Sequence, residues 1–157
     1  MAVSVNYSGR LTDLFIFYGA KPVGDQRITL SLGDSGEVIT GIQKLVQSFT
    51  ILFLTERGSL PLFPDLGTIF ITEMRNRNIR DESSIKAFFA ASVEQVAQTL
   101  ALADEGQNLP PDELFASAVL LNFTPDIGNG KLFLRVQVNS VAGPSRTIFL
   151  PVPLAIT

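Results

Sequence analysis

The sequence predicts an α+β fold with two main helices packed on a C-terminal antiparallel sheet, preceded by an N-terminal arm that contains strands. Two observations predict this class. Apolar residues recur every three or four positions in two stretches between residues 39 and 100, a spacing typical of amphipathic helices. From residue 114 onward, apolar and polar residues instead alternate between turns, which is typical of strands. Helices and strands are therefore segregated along the chain, as in an α+β domain.

The first 36 residues are predicted to form an arm that is distinct from an α+β domain at 37–157. Short apolar runs at 3–5, 14–18 and 28–32 indicate strands, and glycines and a proline between them indicate loops.

The first main helix is predicted to start at Asp34 or Ser35, whose side chains can accept hydrogen bonds from free backbone amides. It would run for about 17–19 residues with an apolar stripe. The stripe consists of Ile39, Ile42, Leu45, Val46, Phe49, Leu52 and Phe53. Gly58 and two following prolines end it.

A short helix is predicted from Gly67 to about Asn78, and a second main helix starts at Asp81 or Ser83. Its apolar positions are Ile85, Phe88, Phe89, Val93, Val96 and Leu100. Pro110-Pro111 prevents any continuation.

Three strands are predicted in the last third of the chain. In the first, at 114–123, the alternation places one set of residues on a common face: Phe115, Val119, Leu121 and Phe123. Asn129-Gly130 favours a hairpin turn, 131–139 alternates regularly, and 146–150 forms the last strand. The two prolines after it restrict that strand to an edge or a tail.

Composition excludes several kinds of site. The chain has no His and no Cys, which removes Ser-His and Cys-His nucleophiles, Cys/His zinc sites, iron–sulfur clusters and disulfides. The net charge of -3 disfavours nonspecific nucleic-acid binding, and no apolar run is long enough to span a membrane. We therefore expect no cofactor, no metal, no nucleic acid and no membrane partner. The low charged fraction, 17% against about 25% in typical domains, suggests a subunit of a larger assembly.

The densest polar cluster is Thr55-Glu56-Arg57-Gly58, followed by Pro64-Asp65-Leu66-Gly67. One interpretation is structural: Glu56 or Asp65 pairs with Arg57, and the two glycines adopt backbone angles that other residues avoid. The other interpretation is a rigid docking loop for a partner. A single loop can serve both purposes.

Two further groups of charged residues have a chemical and a structural interpretation. Glu56, Asp65 and Glu73 could supply the two carboxyl groups of a glycosidase, one of which needs an apolar pocket that raises its pKa. Solvated or locally paired carboxylates are the alternative. Arg75, Arg77 and Arg80 fit a solvated helix end or a contact with an acidic protein.

The C-terminal strands contain few charged residues: Lys131, Arg135 and Arg146. A sheet edge with so little protection favours the addition of a strand from another chain. The alternative is an edge covered by residues 1–18 of the same chain.

The stretch from Ile42 to Gly67 resembles the baseplate wedge and sheath-initiator proteins of contractile phage tails, which have counterparts in type VI secretion and other contractile injection systems. The similar features are the helix Ile42–Ser48, the run Leu52–Gly58 and the Pro64-Asp65-Leu66-Gly67 turn. A second long helix and closing strands with Val136-Gln137-Val138 also fit. The resemblance covers roughly residues 38–150.

The chain departs from the family in one motif. Members typically carry Glu-Pro-Arg after the second long helix, where it holds the wedge core together. This sequence has Asp104-Glu105-Gly106-Gln107-Asn108-Leu109-Pro110 there and no Glu-Pro-Arg elsewhere. The family's wedge contact is therefore not assigned to any residue of this stretch.

The resemblance implies a structural virion protein of the tail baseplate, assembled in the host cytoplasm, present in six copies around the tail tube and without enzymatic activity. The implied partners are the tail sheath protein, the baseplate wedge proteins and the tube or hub. The implied docking residues are Thr55, Glu56, Arg57, Gly58, Pro64, Asp65 and Gly67. The implied sheath-facing residues are Leu132, Leu134, Arg135, Val136, Val138, Arg146 and Ile148.

Three functional hypotheses follow. The first is a sheath initiator that templates sheath polymerisation by strand addition. The second is a peptidoglycan-cleaving glycosidase, because some members of the family are labelled lysozymes. The third is a general binding module with an α+β fold.

Overall fold

A computed structural model describes residues 13–14 and 38–154, and it confirms the α+β class. Strand β1 (Asp13–Leu14) pairs antiparallel with β2 (Val38–Ile39), two residues each. The rest of the predicted arm at 1–36 lies outside the described residues, as does the predicted helix start at Asp34 or Ser35.

Helix α1 (Ile42–Leu54) is shorter than predicted and begins later. Ile39 belongs to β2 and not to the helix, and Gly41 takes a φ of 63° and a ψ of -142°, which are not helical angles. The backbone N–H of Gly41 donates to the buried Glu113 carboxylate at 3.0 Å, and Lys44 pairs with the same carboxylate at 2.9 Å. The helix therefore starts where a distant acidic side chain holds its first turn.

Helix α2 (Phe70–Arg75) lies within the predicted short helix, and α3 (Glu82–Asp104) follows it. As predicted, Asp81 caps α3: its carboxylate accepts from the Ser84 backbone N–H at 2.7 Å, and the Ser84 hydroxyl accepts from the Asp81 N–H at 3.0 Å. This hydrogen bond from the Ser84 backbone lowers the pKa of the Asp81 carboxyl below its ordinary value.

The C-terminal sheet contains β3 (Phe115–Asp126), β4 (Lys131–Ser140) and β5 (Ser145–Pro153) in the order β3-β4-β5, all antiparallel. A short 3₁₀ turn at Ile127–Asn129 and Gly130 in the left-handed region form the predicted hairpin connection between β3 and β4. Strand β4 is thus central, and β3 and β5 are the two edges.

The face predicted for the first of these strands is wrong at two positions. Val119 and Leu121 are 48% and 45% exposed, while Ala118 and Leu120 pack against the core. Irregularities in the β3–β4 register, between Phe115 and Ser117 and between Leu120 and Asn122, insert an extra residue each time. Each β-bulge moves the following side chains to the opposite face, so a strict two-residue alternation fails.

The core lies between the helices and one face of the sheet. Phe53 of α1 is fully buried, with its ring centroid 5.3 Å from Phe70 and 5.5 Å from Phe89, so it joins all three helices. On the sheet, the predicted alternation of β4 holds, and its inward residues are fully or almost fully buried: Leu132, Leu134, Val136 and Val138. The layers of the fold are thus held by aromatic and branched side chains, as expected for a dominant hydrophobic contribution.

Candidate partner-binding surfaces

The segment from Thr55 to Thr68, called the 55–68 loop below, is closed by backbone hydrogen bonds. The Thr68 N–H donates to the Thr55 carbonyl at 2.8 Å, and the Arg57 N–H donates to the Thr68 carbonyl at 3.0 Å. Further out, the Gly58 N–H donates to the Pro64 carbonyl at 2.9 Å. The ends of the loop are therefore fixed to each other independently of its side chains.

Gly67 is required by close packing at the base of this loop. Its φ is 98°, and a Cβ built there would lie 2.3 Å from the Thr55 carbonyl oxygen, the acceptor that closes the loop. Gly58 has a φ of 84° but open space around it. The two predicted glycines thus share a left-handed backbone, and only Gly67 also faces a steric limit.

The acidic side chains of the loop pair differently from each other. Asp65 forms the predicted pair with Arg57 at 2.8 Å on the exposed surface. Glu56 instead accepts two bonds from the Arg75 guanidinium, at 2.9 and 2.7 Å, and one from the Thr72 hydroxyl at 2.9 Å. The hydrogen bonds from Arg75, and then from Thr72, lower the pKa of the Glu56 carboxyl.

The sequence prediction did not include Arg75, Thr72 and Thr68 in this cluster. Arg75 was assigned to a solvated helix end, yet it fastens the loop to α2 through Glu56. Thr68 is fully buried, and its hydroxyl donates to the Phe53 carbonyl at 2.8 Å near the end of α1. A polar residue directly after the constrained Gly67 was a signal for such a bond.

The tip of the 55–68 loop presents apolar side chains to solvent. Leu62 is 86% exposed and Phe63 is 63% exposed. The Phe63 N–H donates to the Leu60 carbonyl at 3.0 Å, and the Leu66 N–H donates to the Phe63 carbonyl at 3.1 Å. The ordered turn at the tip of the loop therefore exposes a small apolar surface that carries no charge.

The remaining two arginines of the basic stretch lie near α2 and α3. Arg77 has a φ of 59°, uncommon for a residue other than glycine, and its carbonyl accepts from the Arg80 guanidinium at 2.7 Å. Both side chains are exposed. This placement fits a solvated turn between the two helices.

Most of the predicted sheath-facing residues are buried in the core of the protein. Leu132, Leu134, Val136 and Val138 belong to the central strand and fill the core, so their side chains do not face solvent. The other three are accessible to different degrees: Arg135 and Arg146 are exposed, and Ile148 is half-buried. A partner strand can therefore meet this sheet only at β3 or β5.

The hydrogen-bond pattern shows which β5 residues face outward from the sheet. The Ser140 N–H donates to the Pro144 carbonyl at 3.0 Å, and the Leu154 N–H donates to the Gly130 carbonyl at 2.8 Å. The β4–β5 register between these points is continuous. Because bonding direction alternates along an antiparallel strand, even-numbered β5 residues bond β4 and odd-numbered residues point to the open edge.

The open edge of β5 consequently offers the N–H groups of Ser145, Thr147 and Phe149. Pro151 and Pro153 occupy the next two outward positions and have no N–H, so neither disturbs the ladder with β4. Within residues 38–154 these three donors have no hydrogen-bond partner. We call Ser145–Phe149 the β5 acceptor edge; the sequence prediction placed only Arg146 and Ile148 in it.

The opposite edge, formed by β3, is protected against pairing. Two β-bulges interrupt it. Position 125 is one whose backbone N–H would point outward, and Pro125 has no N–H to donate. The outward N–H of Phe123 donates to the Asn122 side chain at 2.8 Å. Between the bulges only Ala118 and Leu120 direct N–H groups outward, so β3 presents a shorter uninterrupted edge than β5.

No group of three or more Asp or Glu side chains in this part of the chain is arranged to hold a metal ion. None of the helices described here is both long enough and apolar enough to cross a membrane.

Comparisons with known proteins give little similarity. No protein-family model matches the chain, and no curated protein matches it. Among solved structures, a protein of Geobacter sulfurreducens called a tail lysozyme aligns over 77% of this chain and 98% of its own, with 16% identity and a TM-score of 0.42. A likeness at this level supports no conclusion about fold or function, so the sites described above stand on their own geometry.

Proposed function

We propose that this chain is a structural subunit of a contractile-tail baseplate that joins the wedge to the first sheath ring and templates sheath polymerisation by strand addition. The observation that carries the proposal is the β5 acceptor edge: its outward donors have no partner within the described residues, whereas two bulges interrupt the other edge of the sheet. The resemblance of Ile42–Gly67 to sheath-initiator proteins supplies the identity of the assembly. A phage tail, a secretion system and a free injection particle would all use such a subunit.

In this proposal a sheath arm pairs with β5 and extends the sheet by one strand. The arm accepts hydrogen bonds from Ser145, Thr147 and Phe149 and donates to carbonyl groups of the same residues. Backbone pairing of this kind needs no new fold in either protein. Six copies around the tail tube would present six such edges, one for each sheath subunit of the first ring.

The 55–68 loop is assigned to the wedge side of the subunit. Its ends are closed by backbone bonds, and Glu56 is held by Arg75 and Thr72, so little conformational entropy is lost when a partner binds. Leu62 and Phe63 at the tip provide the apolar contact. The loop can make this contact although the chain lacks the Glu-Pro-Arg motif of the family.

A glycosidase is the alternative, and the electrostatics of the predicted carboxylates favour it less. A general acid needs a raised pKa, whereas the bonds from Arg75 and Thr72 lower the pKa of Glu56. Burial, and then the charge of Glu113, raise the pKa of Asp104, while Lys44 lowers it. Asp104 was not among the predicted carboxylates, and a raised pKa alone does not supply the second carboxyl group.

Co-assembly with the sheath protein of the same operon, viewed by negative-stain microscopy, tests the proposal. Wild type is compared with Thr147→Pro, which removes the central donor of the β5 acceptor edge. Ala118→Pro is the matched control, because it removes an outward donor from the protected edge. We expect wild type and Ala118→Pro to seed ordered sheath and Thr147→Pro to lose most of this activity.

Two results would contradict the proposal. Equal seeding by folded Thr147→Pro would exclude β5 as the acceptor. No seeding by wild type would exclude the initiator function itself. In that case peptidoglycan cleavage, with Glu56→Gln as the control, would test the glycosidase.

A further inference from the structure

The β5 acceptor edge carries chemical information about the strand that it accepts. On an antiparallel strand, residues opposite Arg146 and Ile148 fall in non-hydrogen-bonded pairs, where facing side chains approach most closely. The side chains of Arg146 and Ile148 point to the helix-covered face of the sheet, because they pair with the buried Val138 and Val136. These two residues are therefore the side chains that an incoming strand meets on that face.

The two positions differ in what they require. Ile148 is half-buried and already packs against the core, so an apolar residue opposite it would extend that core. Arg146 is exposed and has no ion pair among the described residues. A carboxylate opposite it would form a cross-strand pair of opposite charges, whereas a lysine or arginine there would repel it.

We propose that the β5 acceptor edge selects an antiparallel segment in which an apolar residue is followed two positions later by Asp or Glu. The apolar residue lies opposite Ile148 and the acidic residue opposite Arg146. Pro151 and Pro153 set the limit of the segment, because backbone pairing stops where donors end. This inference rests on the proposed function only in taking the segment to be a sheath arm; the edge chemistry is independent of it.

The test appends a candidate strand to the full chain after Thr157 through a flexible Gly-Ser linker, which gives it a high effective concentration at β5. One version carries Thr-Ile-Thr-Glu-Thr and the other carries Thr-Ile-Thr-Lys-Thr. Both are placed in wild type and in Arg146→Glu. Hydrogen exchange at the Thr147 and Phe149 amides reports docking, and the melting temperature reports stabilisation.

We expect the Glu strand to protect these amides about threefold more than the Lys strand in wild type, with the preference reversed in Arg146→Glu. Arg135→Glu is the matched control. Arg135 lies on the opposite face, its guanidinium 5.8 Å from the centre of the Phe149 ring, so this change should leave the Glu preference intact.

Each other outcome overturns a specific statement. Equal protection by both strands in wild type and in Arg146→Glu would overturn the charge selection and leave the proposed function standing. Loss of the Glu-strand preference in Arg135→Glu would mean that this preference depends on the opposite face of the sheet and not on Arg146. Absence of protection with every strand would overturn the acceptor edge, whereas failure of wild type to seed sheath despite docking would overturn the proposed function alone.

Discussion

The 55–68 loop and the β5 acceptor edge were both predicted as partner-binding regions, yet they use their polar groups in opposite ways. In the loop, Glu56 and Thr68 bond to neighbouring elements of the same chain, and Arg57 pairs with Asp65 within the loop. Along β5, the backbone donors of Ser145, Thr147 and Phe149 have no partner in the part of the chain that is described. The dense polar motif therefore holds the loop in place, whereas the strand with few charges keeps backbone N–H groups available for another molecule.

The largest expected effect tests the direction of the β5 backbone bonds. Ile148→Pro removes an N–H that faces β4 and leaves a buried β4 carbonyl without its donor, so it should lower the free energy of unfolding by about 3 kcal/mol. Thr147→Pro removes an N–H that faces outward, so it should cost only about 1 kcal/mol of local strain. Urea unfolding of both variants measures the difference. Similar losses for the two would mean that the outward assignment of Thr147 is wrong.

An intermediate effect tests how the loop is fastened. Gly67→Ala places a Cβ against the Thr55 carbonyl oxygen at a φ of 98°, so it should cost about 2–3 kcal/mol through strain and a weakened Thr68–Thr55 bond. Gly58→Ala has a similar φ without any close atom, and about 1 kcal/mol is expected. Thermal unfolding of the pair separates the two costs. If Gly58→Ala proved the more damaging, steric closure at Gly67 would not be what holds the loop.

The smallest effect concerns pH and Glu56. Because the pKa of Glu56 is lower in the folded state than in the unfolded state, its contribution to stability is present above the unfolded value. That contribution is lost as the pH falls through the folded value. Glu56→Gln should therefore lose less stability than wild type on acidification.

Melting temperatures between neutral pH and about pH 3 measure this difference, in a range that spans the ordinary glutamate pKa. Asp65→Asn is the control, since exposed ion pairs such as Arg57–Asp65 contribute little. If the melting temperature of Glu56→Gln followed the same pH dependence as wild type, the contact between Arg75 and Glu56 would not contribute to holding the loop.

Patterns with a local physical cause were predictable from sequence. The Asp81 cap, the alternation of β4 and the Gly130 turn depend on neighbouring residues, and the structure contains all three. The start of α1 was not predictable, because Gly41 is held by Glu113, which lies 72 residues away in the chain. The bulges of β3 leave no clear signature in composition, so Val119 and Leu121 were assigned to the wrong face.

The two candidate sites were predictable to different extents. The loop residues were identified as a cluster, but their pairing was not, because Glu56 reaches Arg75 across 19 positions. On the sheet, Arg146 and Ile148 were found, while four predicted contact residues belong to the central strand and fill the core. Strand order decides which residues lie at an edge, and strand order is a property of the fold and not of any local pattern.

Because one edge of the sheet is protected and the other is open, one further strand can be added to it. A sheet with two open edges could stack with copies of itself without limit, and such growth leads to fibres. With β3 protected by its bulges and Pro125, pairing between two copies through β5 would close a dimer and stop there. Among the described residues, this sheet can therefore pair with one further strand and does not support open-ended stacking of copies.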